Sequence, residues 1–258
     1  MSERKMNMHQ GHWVLAKLGK RVLRPGGLEL TRKMLSALSI GNEDDVVEFA
    51  PGLGATGKLA TAFKPHSYTA VEFNEEAAAI VEKNVAYPEM KVVIGNAAET
   101  GLPDESATKV YGEAMLTMQS DAVKDRIIAE AARLLRPGGL YGIHEIGLRP
   151  DDIPEEKKEE IRSALAGSIM SNVRPLTLPE WTAVMERNGL EVVAVNTAGM
   201  FLLEPKRMLA DEGILRVIKI LFNMLTHPHA RKRVLQMRGV FRRYKNEIYA
   251  ISIVARKK

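Results

Sequence analysis

The stretch Val46–Ala60, VVEFAPGLGATGKLA, decides the fold of this chain. Its first two residues are the apolar end of a predicted buried strand, and a predicted helix begins at Thr56. Between them, Gly52 and Gly54 allow positive φ angles and close approach of a ligand to the backbone. The helix start adds free N–H groups and a partial positive charge. The stretch therefore predicts a small-molecule site at the mouth of a βα unit.

Two acidic residues make this prediction more specific. The G-x-G-x-x-G pattern alone is compatible with a tight turn in any α/β protein. Glu48 stands four residues before the first glycine, where a dinucleotide-binding strand is usually apolar. Glu72 ends the next predicted strand, Ser67–Glu72, where a carboxylate can accept two hydrogen bonds from a ribose diol. Ligand binding is therefore preferred over a purely structural turn.

Composition limits the class of protein. The chain has 258 residues, 45% of them hydrophobic, which is enough for one large α/β domain. Cysteine is absent, which excludes disulfides, thiolate metal sites and cysteine nucleophiles. No apolar signal segment and no stretch of membrane-spanning length is found, so we expect a soluble, cytoplasmic protein. His9 and His12 lack an acidic or cysteine partner, so no metal site is predicted.

Charge is distributed unevenly along the chain. The formal net charge of +5 combines +6 over residues 1–33, −11 over residues 43–160 and +10 over residues 161–258. Basic ends around an acidic centre favour an anionic substrate, a membrane surface or nucleic acid. A solvated basic face is the simpler interpretation.

Further motifs carry a family resemblance. Asn96 follows a short predicted strand within Gly-Asn-Ala-Ala-Glu, and Leu-Pro follows at 102–103. A fourth strand is predicted over Ala107–Ala114, and Leu-Leu-Arg-Pro-Gly-Gly at 134–139 precedes a fifth. With the glycine turn, these segments resemble class I S-adenosylmethionine-dependent methyltransferases, of the methyltransferase-11 or ubiquinone/menaquinone-biosynthesis type. The resemblance covers roughly residues 39–147.

The resemblance implies a Rossmann-like α/β fold. It consists of a seven-stranded, mostly parallel sheet with an antiparallel last strand, helices on both faces, added N-terminal helices and a helical lid. The final strand, Ile248–Val254, is expected to lie between the fifth and sixth strands. The chain is then one methyltransferase domain, with a helical cap (1–38), a cofactor-binding core (39–200 and 246–258) and a lid insertion (201–245).

The resemblance also implies S-adenosyl-L-methionine as cofactor and S-adenosyl-L-homocysteine as product. The residues carried over to cofactor binding are Glu48, Ala50, Pro51, Gly52, Gly54, Thr56, Glu72, Phe73, Asn96, Ala97, Glu113, Ala114 and Met115. Members of the family usually have an aspartate at the position of Asn96, where it accepts a hydrogen bond from the adenine amino group. An amide carbonyl can accept the same bond.

The predicted reaction is methyl transfer to an oxygen, nitrogen or activated carbon of a small organic acceptor. Displacement at a sulfonium carbon needs mainly positioning in a dry pocket, and a general base helps some acceptors. His144 and Glu145 end the fifth strand and are the candidate catalytic residues, with a structural role as an equal alternative. His12 and Trp13, in an amphipathic helix predicted over about 10–23, are candidate substrate contacts or cap residues.

The segment 205–245 is the least ordinary part of the sequence. Gly213–Leu225, GILRVIKILFNML, is apolar nearly all round, and basic runs follow it. The preferred interpretation is a lid helix buried against the active site. The alternative is a surface that meets a membrane or a lipid-like or quinone acceptor. About thirteen residues are too few to span a bilayer.

Other classes of protein share part of the pattern. A nicotinamide-dependent dehydrogenase would have the glycine turn and Glu72, but it would not account for Glu48 or for the Arg-Pro-Gly-Gly segment at 136–139. A non-catalytic S-adenosylmethionine-binding protein shares every motif. A nucleic-acid methyltransferase fits the basic ends, but the Asn/Asp-Pro-Pro-Tyr/Phe/Trp motif is missing, and 2 Trp, 6 Tyr and 6 Phe give few stacking candidates. The acceptor and the oligomeric state stay open.

Overall fold

Strands and helices alternate along most of the chain. The computed structural model describes residues 11–22 and 24–258. The strands are β1 (Asp45–Phe49), β2 (Ser67–Glu72), β3 (Met90–Ile94), β4 (Ala107–Glu113), β5 (Leu135–Leu148), β6 (Leu176–Thr177), β7 (Leu190–Gly199) and β8 (Ile248–Lys257). The helices are α1 (Gly11–Lys17), α2 (Gly27–Leu38), α3 (Ala55–Thr61), α4 (Glu75–Val85), α5 (Asp121–Leu134), α6 (Glu155–Ile169), α7 (Leu178–Arg187), α8 (Pro205–Glu212), α9 (Ile214–Thr226) and α10 (Pro228–Arg243), with a 3₁₀ turn over Leu116–Met118.

The sheet has the order β3-β2-β1-β4-β5-β8-β7, and the two-residue β6 adds to the end of β5. Strands β1 to β5 are parallel, whereas β8 lies antiparallel between β5 and β7. This confirms the predicted Rossmann-like fold and the place of the last strand. The first eight residues of β8 are all buried, as expected for a strand covered on both faces.

Side-chain caps set the starts of two helices. The side chain of Asn74 accepts a hydrogen bond from the backbone N–H of Ala77, at 2.9 Å, and so caps α4. Thr177 and Glu180 form a reciprocal capping box at the start of α7.

Several predicted boundaries are wrong. Strand β5 continues past His144 and Glu145, which were predicted to end it, to Leu148. The N-terminal helix ends at Lys17 instead of continuing to about residue 23, because Gly19 takes a φ of 101° and closes the helix. Strand β1 continues through Glu48 and Phe49, which were expected to belong to the turn. The extra ladder pairs of these residues with β2 and β4 hold them in the strand.

Helices cover both faces of the sheet. On one face, Ile127 of α5 and Trp181 of α7 pack with Phe49 of β1. On the other face, Met34 and Leu38 of α2 pack over the sheet. A third apolar cluster joins α1, α6 and α10 near the end of β5. That third cluster forms a wall of the site described below.

Helix α9 lies on the outside of the molecule, so the prediction that Gly213–Leu225 is buried against the active site is wrong. Leu215 is 86% exposed, and Ile220 is the buried residue of the helix. The polar side of the helix, with Arg216 and Asn223, is bound to the N-terminal segment, so the apolar side faces solvent. Among the described residues, no helix is long and apolar enough to cross a membrane.

Candidate active site

Four neighbouring parallel strands end at one edge of the sheet, and the predicted cofactor residues lie at those ends. The glycine turn follows β1, Glu72 ends β2, Asn96 follows β3, and Glu113 ends β4. Because β3, β2, β1 and β4 are adjacent and parallel, their carboxyl ends meet at the same edge. The fold therefore brings together segments that are far apart in the sequence.

The glycine turn has the backbone conformation that its sequence predicts. Gly52 and Gly54 have φ angles of 58° and 75°, and Ala50 also takes a positive φ of 50°. A Cβ atom added to Gly52 would meet no atom within 4 Å, whereas one added to Gly54 would lie 2.8 Å from Val85 of α4. Gly52 thus faces open space, and Gly54 is required for packing between α3 and α4.

Glu72 connects the end of β2 to the glycine turn. Its carboxylate receives backbone N–H groups of Gly52, Phe73 and Asn74, the last at 3.0 Å. Burial raises the pKa of Glu72, and these N–H groups oppose that rise. The carboxylate is therefore held in one orientation at the edge where a ligand would bind.

Asn96 lies exposed in the turn after β3. Its side-chain carbonyl accepts a hydrogen bond from the backbone N–H of Ala98 at 2.9 Å, which uses one of its two lone pairs. Ala97 is half-buried and packs against the core. The turn is thus anchored, and one acceptor site of the amide remains for a ligand.

Glu48 lies under the glycine turn. It is 3% exposed and accepts hydrogen bonds from the hydroxyl groups of Tyr68 and Tyr111, the latter at 2.9 Å. Burial, with the negative charge of Glu113 nearby, raises the pKa of Glu48 to about 7 despite these two donors. Its direct contact with a cofactor stays a prediction. The two tyrosines, on strands that flank β1, were missed.

Glu113 is the centre of a buried polar cluster. Its carboxylate lies 3.0 Å from Nε of Arg24, 2.7 Å from Nδ1 of His144 and 2.6 Å from the hydroxyl of Thr31, and it also accepts from Thr56. Burial alone would raise its pKa, but Arg24 and these hydrogen bonds lower the pKa to about 2. The cluster ties the N-terminal segment to β4, β5 and the start of α3.

Arg24 is the functional candidate that sequence reasoning missed. It is 6% exposed, and its Nη2 atom has no hydrogen-bond partner among the described residues. The Arg-Pro-Gly-Gly segment at 24–27 reads as a helix breaker, and no spacing in the sequence links it to Glu113. Burying a guanidinium nitrogen without a hydrogen-bond partner costs free energy, unless a ligand accepts its hydrogen bond.

The two predicted catalytic residues have protein partners. His144 is fully buried, with Nδ1 against Glu113 and Nε2 against the carbonyl oxygen of Pro25. Its ring is therefore held on both sides by the chain itself. A catalytic role for His144 stays a prediction.

Glu145 supports the segment that follows β4. Its carboxylate accepts backbone N–H groups of Met115, Leu116 and Thr117 at 2.9, 2.7 and 3.0 Å, and the Thr117 hydroxyl at 2.6 Å. Burial raises the pKa of Glu145, and the four donors oppose that rise. This geometry is that of a positioning residue, and direct catalysis by Glu145 stays a prediction.

The predicted substrate contacts fall at the limit of what the structure describes. The backbone of His12 and Trp13 belongs to α1, but their side chains lie outside the described residues, as does His9. Within the described ranges there is no cluster of three or more His, Cys, Asp or Glu side chains that could hold a metal ion.

An apolar cavity opens beside the ends of β4 and β5. Its empty space is about 550 Å³, with the solvent space at its open mouth included. Its floor contains Ala114 and Glu145, and helices α1, α6 and α10 form its walls. The lining residues are Leu15, Pro25, Ala114, Thr117, Met118, Glu145, Ile146, Ile169, Val173, Met200, Leu202, Met237 and Phe241.

Known proteins resemble this chain in sequence and in fold. The sequence family described as a methyltransferase domain matches residues 46–139. An uncharacterized protein of Haemophilus influenzae is 32% identical over 252 residues, 96% of this chain and 98% of that protein. Ribosomal RNA small subunit methyltransferase A of Maridesulfovibrio salexigens is 28% identical over 155 residues, 58% of this chain and 56% of that protein.

A solved structure shares the fold over nearly the whole chain. Phosphoethanolamine N-methyltransferase 2 of Haemonchus contortus, in complex with phosphomonomethylethanolamine and S-adenosylhomocysteine, has a TM-score of 0.73 at 15% identity. The similarity covers 99% of this chain and 58% of that protein. The chain belongs to the class I S-adenosylmethionine-dependent methyltransferases. The predicted family and cofactor are thereby confirmed.

The residues at the sheet edge fit S-adenosylmethionine. Gly52 faces open space at the turn, where the backbone can approach a ligand closely. The fixed carboxylate of Glu72 provides the acceptor that a ribose diol requires. The unpartnered Nη2 atom of Arg24 is a buried donor close to the same turn.

Proposed function

We propose that this enzyme methylates a small, largely apolar organic acceptor bound in the cavity beside Ala114. The proposal rests on one observation: among the described residues, Thr117 and Glu145 are the polar residues that line the cavity, and the rest of its lining is apolar. Ala114 belongs both to this cavity and to the predicted cofactor residues, so acceptor and cofactor would meet there. The methylated atom is an oxygen, a nitrogen or an activated carbon.

The cofactor residues divide by the part of the cofactor they would hold. The turn at 50–54 and Thr56 would hold the methionine portion, Glu72 and Phe73 the ribose, and Asn96 and Ala97 the adenine. Residues 113–115 would lie between cofactor and acceptor. When bound, S-adenosylmethionine supplies a methyl group on a positively charged sulfur. The chain's own contribution is to orient both reactants and to exclude water.

We propose that His144 and Glu145 act by positioning. Glu145 holds the segment from Met115 to Thr117, and Thr117 lines the cavity. His144 holds Glu113 and the segment at Pro25. Nε2 of His144 faces a carbonyl oxygen and so carries a hydrogen. A general-base role would require Nε2 to leave Pro25 and lose that proton before it could receive one from the acceptor.

We further propose that residues 201–245 form a lid and residues 1–38 a cap over the acceptor. Met237 and Phe241 of α10 line the cavity, as does Leu15 of α1. Lids of this kind exclude water and admit substrate by local opening. Within the insertion, Leu202 and α10 thus line the cavity, whereas no residue of α9 is among the lining residues.

A second candidate acceptor is a lipid-like or quinone molecule reached at a membrane surface. The exposed apolar face of α9 favours it, because α9 directly precedes α10, whose residues line the cavity. We do not extend the RNA acceptor named for the Maridesulfovibrio relative to this chain, because that similarity covers 58% of the chain and the cavity is apolar. A cytoplasmic location stays a prediction from the sequence.

Turnover with isotopically labelled cofactor across a metabolite library tests the proposal. We expect apolar acceptors to be methylated, and we expect Met237→Lys, which places a charge in the cavity, to lower turnover on the order of 100-fold. Affinity for S-adenosylhomocysteine should stay within about threefold, since Met237 is not a predicted cofactor residue.

Leu235→Lys is the matched control, because Leu235 is 52% exposed on the same helix. It should leave turnover unchanged. Full activity of Met237→Lys, or methylation of highly polar acceptors alone, would contradict the proposed cavity. A wild-type enzyme that binds cofactor but methylates nothing would favour a non-catalytic binding protein.

A further inference from the structure

Helix α9 presents its apolar side to solvent. Successive turns of the helix align these side chains on one face, by the spacing of 3.6 residues per turn. Two of them, Leu215 and Leu225, are 86% and 69% exposed. The exposed apolar side chains, here called the α9 face, are Ile214, Leu215, Ile218, Leu221, Phe222 and Leu225.

Polar side chains hold the opposite side of α9 to the protein. Nη1 of Arg216 donates to the carbonyl oxygen of Gly19 at 3.3 Å, and Nδ2 of Asn223 donates to that of Leu18 at 3.0 Å. Ile220, which lies between these two residues in the sequence, is buried. Rotating α9 to bury its apolar face would break both hydrogen bonds, so the orientation is fixed by specific contacts. A contiguous exposed face of six large apolar side chains marks an interaction site.

The charges of the chain segment that contains α9 have one sign. Residues 213–246 contain nine Lys or Arg and no Asp or Glu. Asp211 and Glu212, which precede the helix, are turned toward the N-terminal segment, with side chains 1% exposed. Five exposed cations in this stretch make no ion pair with another described residue. They are Lys219, Arg231, Lys232, Arg243 and Lys245.

We propose that the α9 face docks into the interfacial region of an anionic lipid bilayer. A helix with an apolar face and a cationic border has the composition of interfacial membrane helices. Arg231 and Lys232, which follow α9 in the first turns of α10, would contact lipid phosphates. A second copy of the chain is disfavoured as the occupant, because it would bring a border of the same charge against this one. The inference stands on surface residues and is independent of the proposed acceptor.

Sedimentation with lipid vesicles tests this surface. We expect the wild-type protein to bind vesicles of phosphatidylcholine with about 30% phosphatidylglycerol, and to bind pure phosphatidylcholine weakly, with binding reduced by salt. The variant Leu215→Gln/Ile218→Gln/Phe222→Gln should lose on the order of tenfold or more of the affinity. Arg231→Glu/Lys232→Glu should lose the preference for anionic vesicles.

The matched control is Phe63→Gln/Val193→Gln, which removes exposed apolar side chains elsewhere on the molecule. It should bind vesicles as the wild type does. Circular dichroism and thermal unfolding show whether each variant is folded. Phe222→Trp provides a second measurement, because its fluorescence should shift to shorter wavelength on insertion into anionic vesicles.

Three results would overturn the proposal. They are absence of wild-type binding to anionic vesicles, equal binding by the α9 variant, and an unshifted Phe222→Trp spectrum in vesicles that sediment the protein. Sedimentation equilibrium identifies the rival occupant. If the wild type is a dimer without vesicle affinity and the α9 variant is a monomer, the face binds a second copy of the chain.

Discussion

The carboxyl edge of the sheet and the helical insertion at 201–245 are held to the protein in different ways. At the sheet edge, Glu72, Glu113 and Glu145 each receive several donors from the surrounding chain. In the insertion, α8 has no buried residue and α9 has one. The edge is thus preorganised by buried hydrogen bonds. In the insertion, α10 packs into the third apolar cluster, whereas α8 and α9 rely on contacts near the surface.

A few side chains attach the insertion. Glu204 pairs with Arg238 and Arg242 at 3.0 and 2.7 Å within the insertion itself. Asp211 and Glu212 accept backbone N–H groups of the N-terminal segment, including that of Leu28 at 3.0 Å. Such partly exposed links open at lower free energy than a packed core. The difference suits a rigid site for a constant cofactor and a movable cover for the acceptor.

Gly52→Val is expected to have the largest effect on the sheet edge. A valine at a φ of 58° is strained, and its side chain would fill the open space beside the turn. We expect affinity for S-adenosylmethionine to fall on the order of 1,000-fold or more, while the far-ultraviolet circular dichroism stays unchanged. Calorimetry measures the affinity, with NAD as the ligand that should not bind.

Gly138→Val is the matched control for backbone strain. Gly138 has a φ of 77° and also faces open space, but it lies at the start of β5, at the opposite edge of the sheet. It should lose stability without losing cofactor affinity. Equal loss of affinity in both variants would mean that strain, and not occupation of the site, weakens binding.

Glu72→Ala should have the next largest effect on the same edge. Removing the carboxylate removes charge-assisted hydrogen bonds to the ribose, each on the order of 1.5–3 kcal/mol. We expect about 100-fold weaker binding of S-adenosylhomocysteine by calorimetry. Glu76→Ala, which removes an exposed charge from the next helix, should change little. Unchanged affinity in Glu72→Ala would show that β2 does not contact the ribose.

The two regions also differ in how far the sequence predicts them. Gly52, Gly54 and the Ser67–Glu72 strand follow from local rules, because positive φ and alternating burial are encoded in neighbouring residues. The partners of Glu48 and Arg24 could not be predicted, since each depends on side chains brought together by the sheet. The orientation of α9 could not be predicted either, because its polar side binds carbonyl oxygens of Leu18 and Gly19, which are distant in the sequence.

Glu48 gives the sheet edge a pH dependence near neutral pH. Its ordinary pKa of 4.5 is raised to about 7 by burial, so the folded state binds a proton more tightly than the unfolded state. The resulting stability is fully present below pH 4.5 and is lost as the pH rises through 7. We expect the loss between pH 5 and 8 to be on the order of 3 kcal/mol.

Chemical denaturation of the wild type and of Glu48→Gln at both pH values measures this effect. The glutamine variant has no proton to lose, so the free energy of unfolding of the wild type should fall relative to that of the variant as the pH rises. Glu89→Gln, at an exposed glutamate, is the matched control and should follow the wild type. Parallel curves for the wild type and Glu48→Gln would mean that Glu48 is ionised in the fold at both pH values.

Hydrogen exchange separates the two roles proposed for the insertion, and here the smallest effect is expected. Because Met237 and Phe241 line the cavity, binding of S-adenosylhomocysteine with an acceptor should slow the exchange of α10 amides about tenfold. The amides of α9 should not respond to these ligands, because its apolar face points to solvent. They should slow when anionic vesicles are added without ligands.

Amides of α5, which packs in a different apolar cluster from α10, provide the internal reference. Slower exchange in α9 with ligands alone would assign the whole insertion to the lid. If ligands protect the glycine turn but leave α10 unchanged, α10 is a fixed wall of the cavity and the lid is disproved.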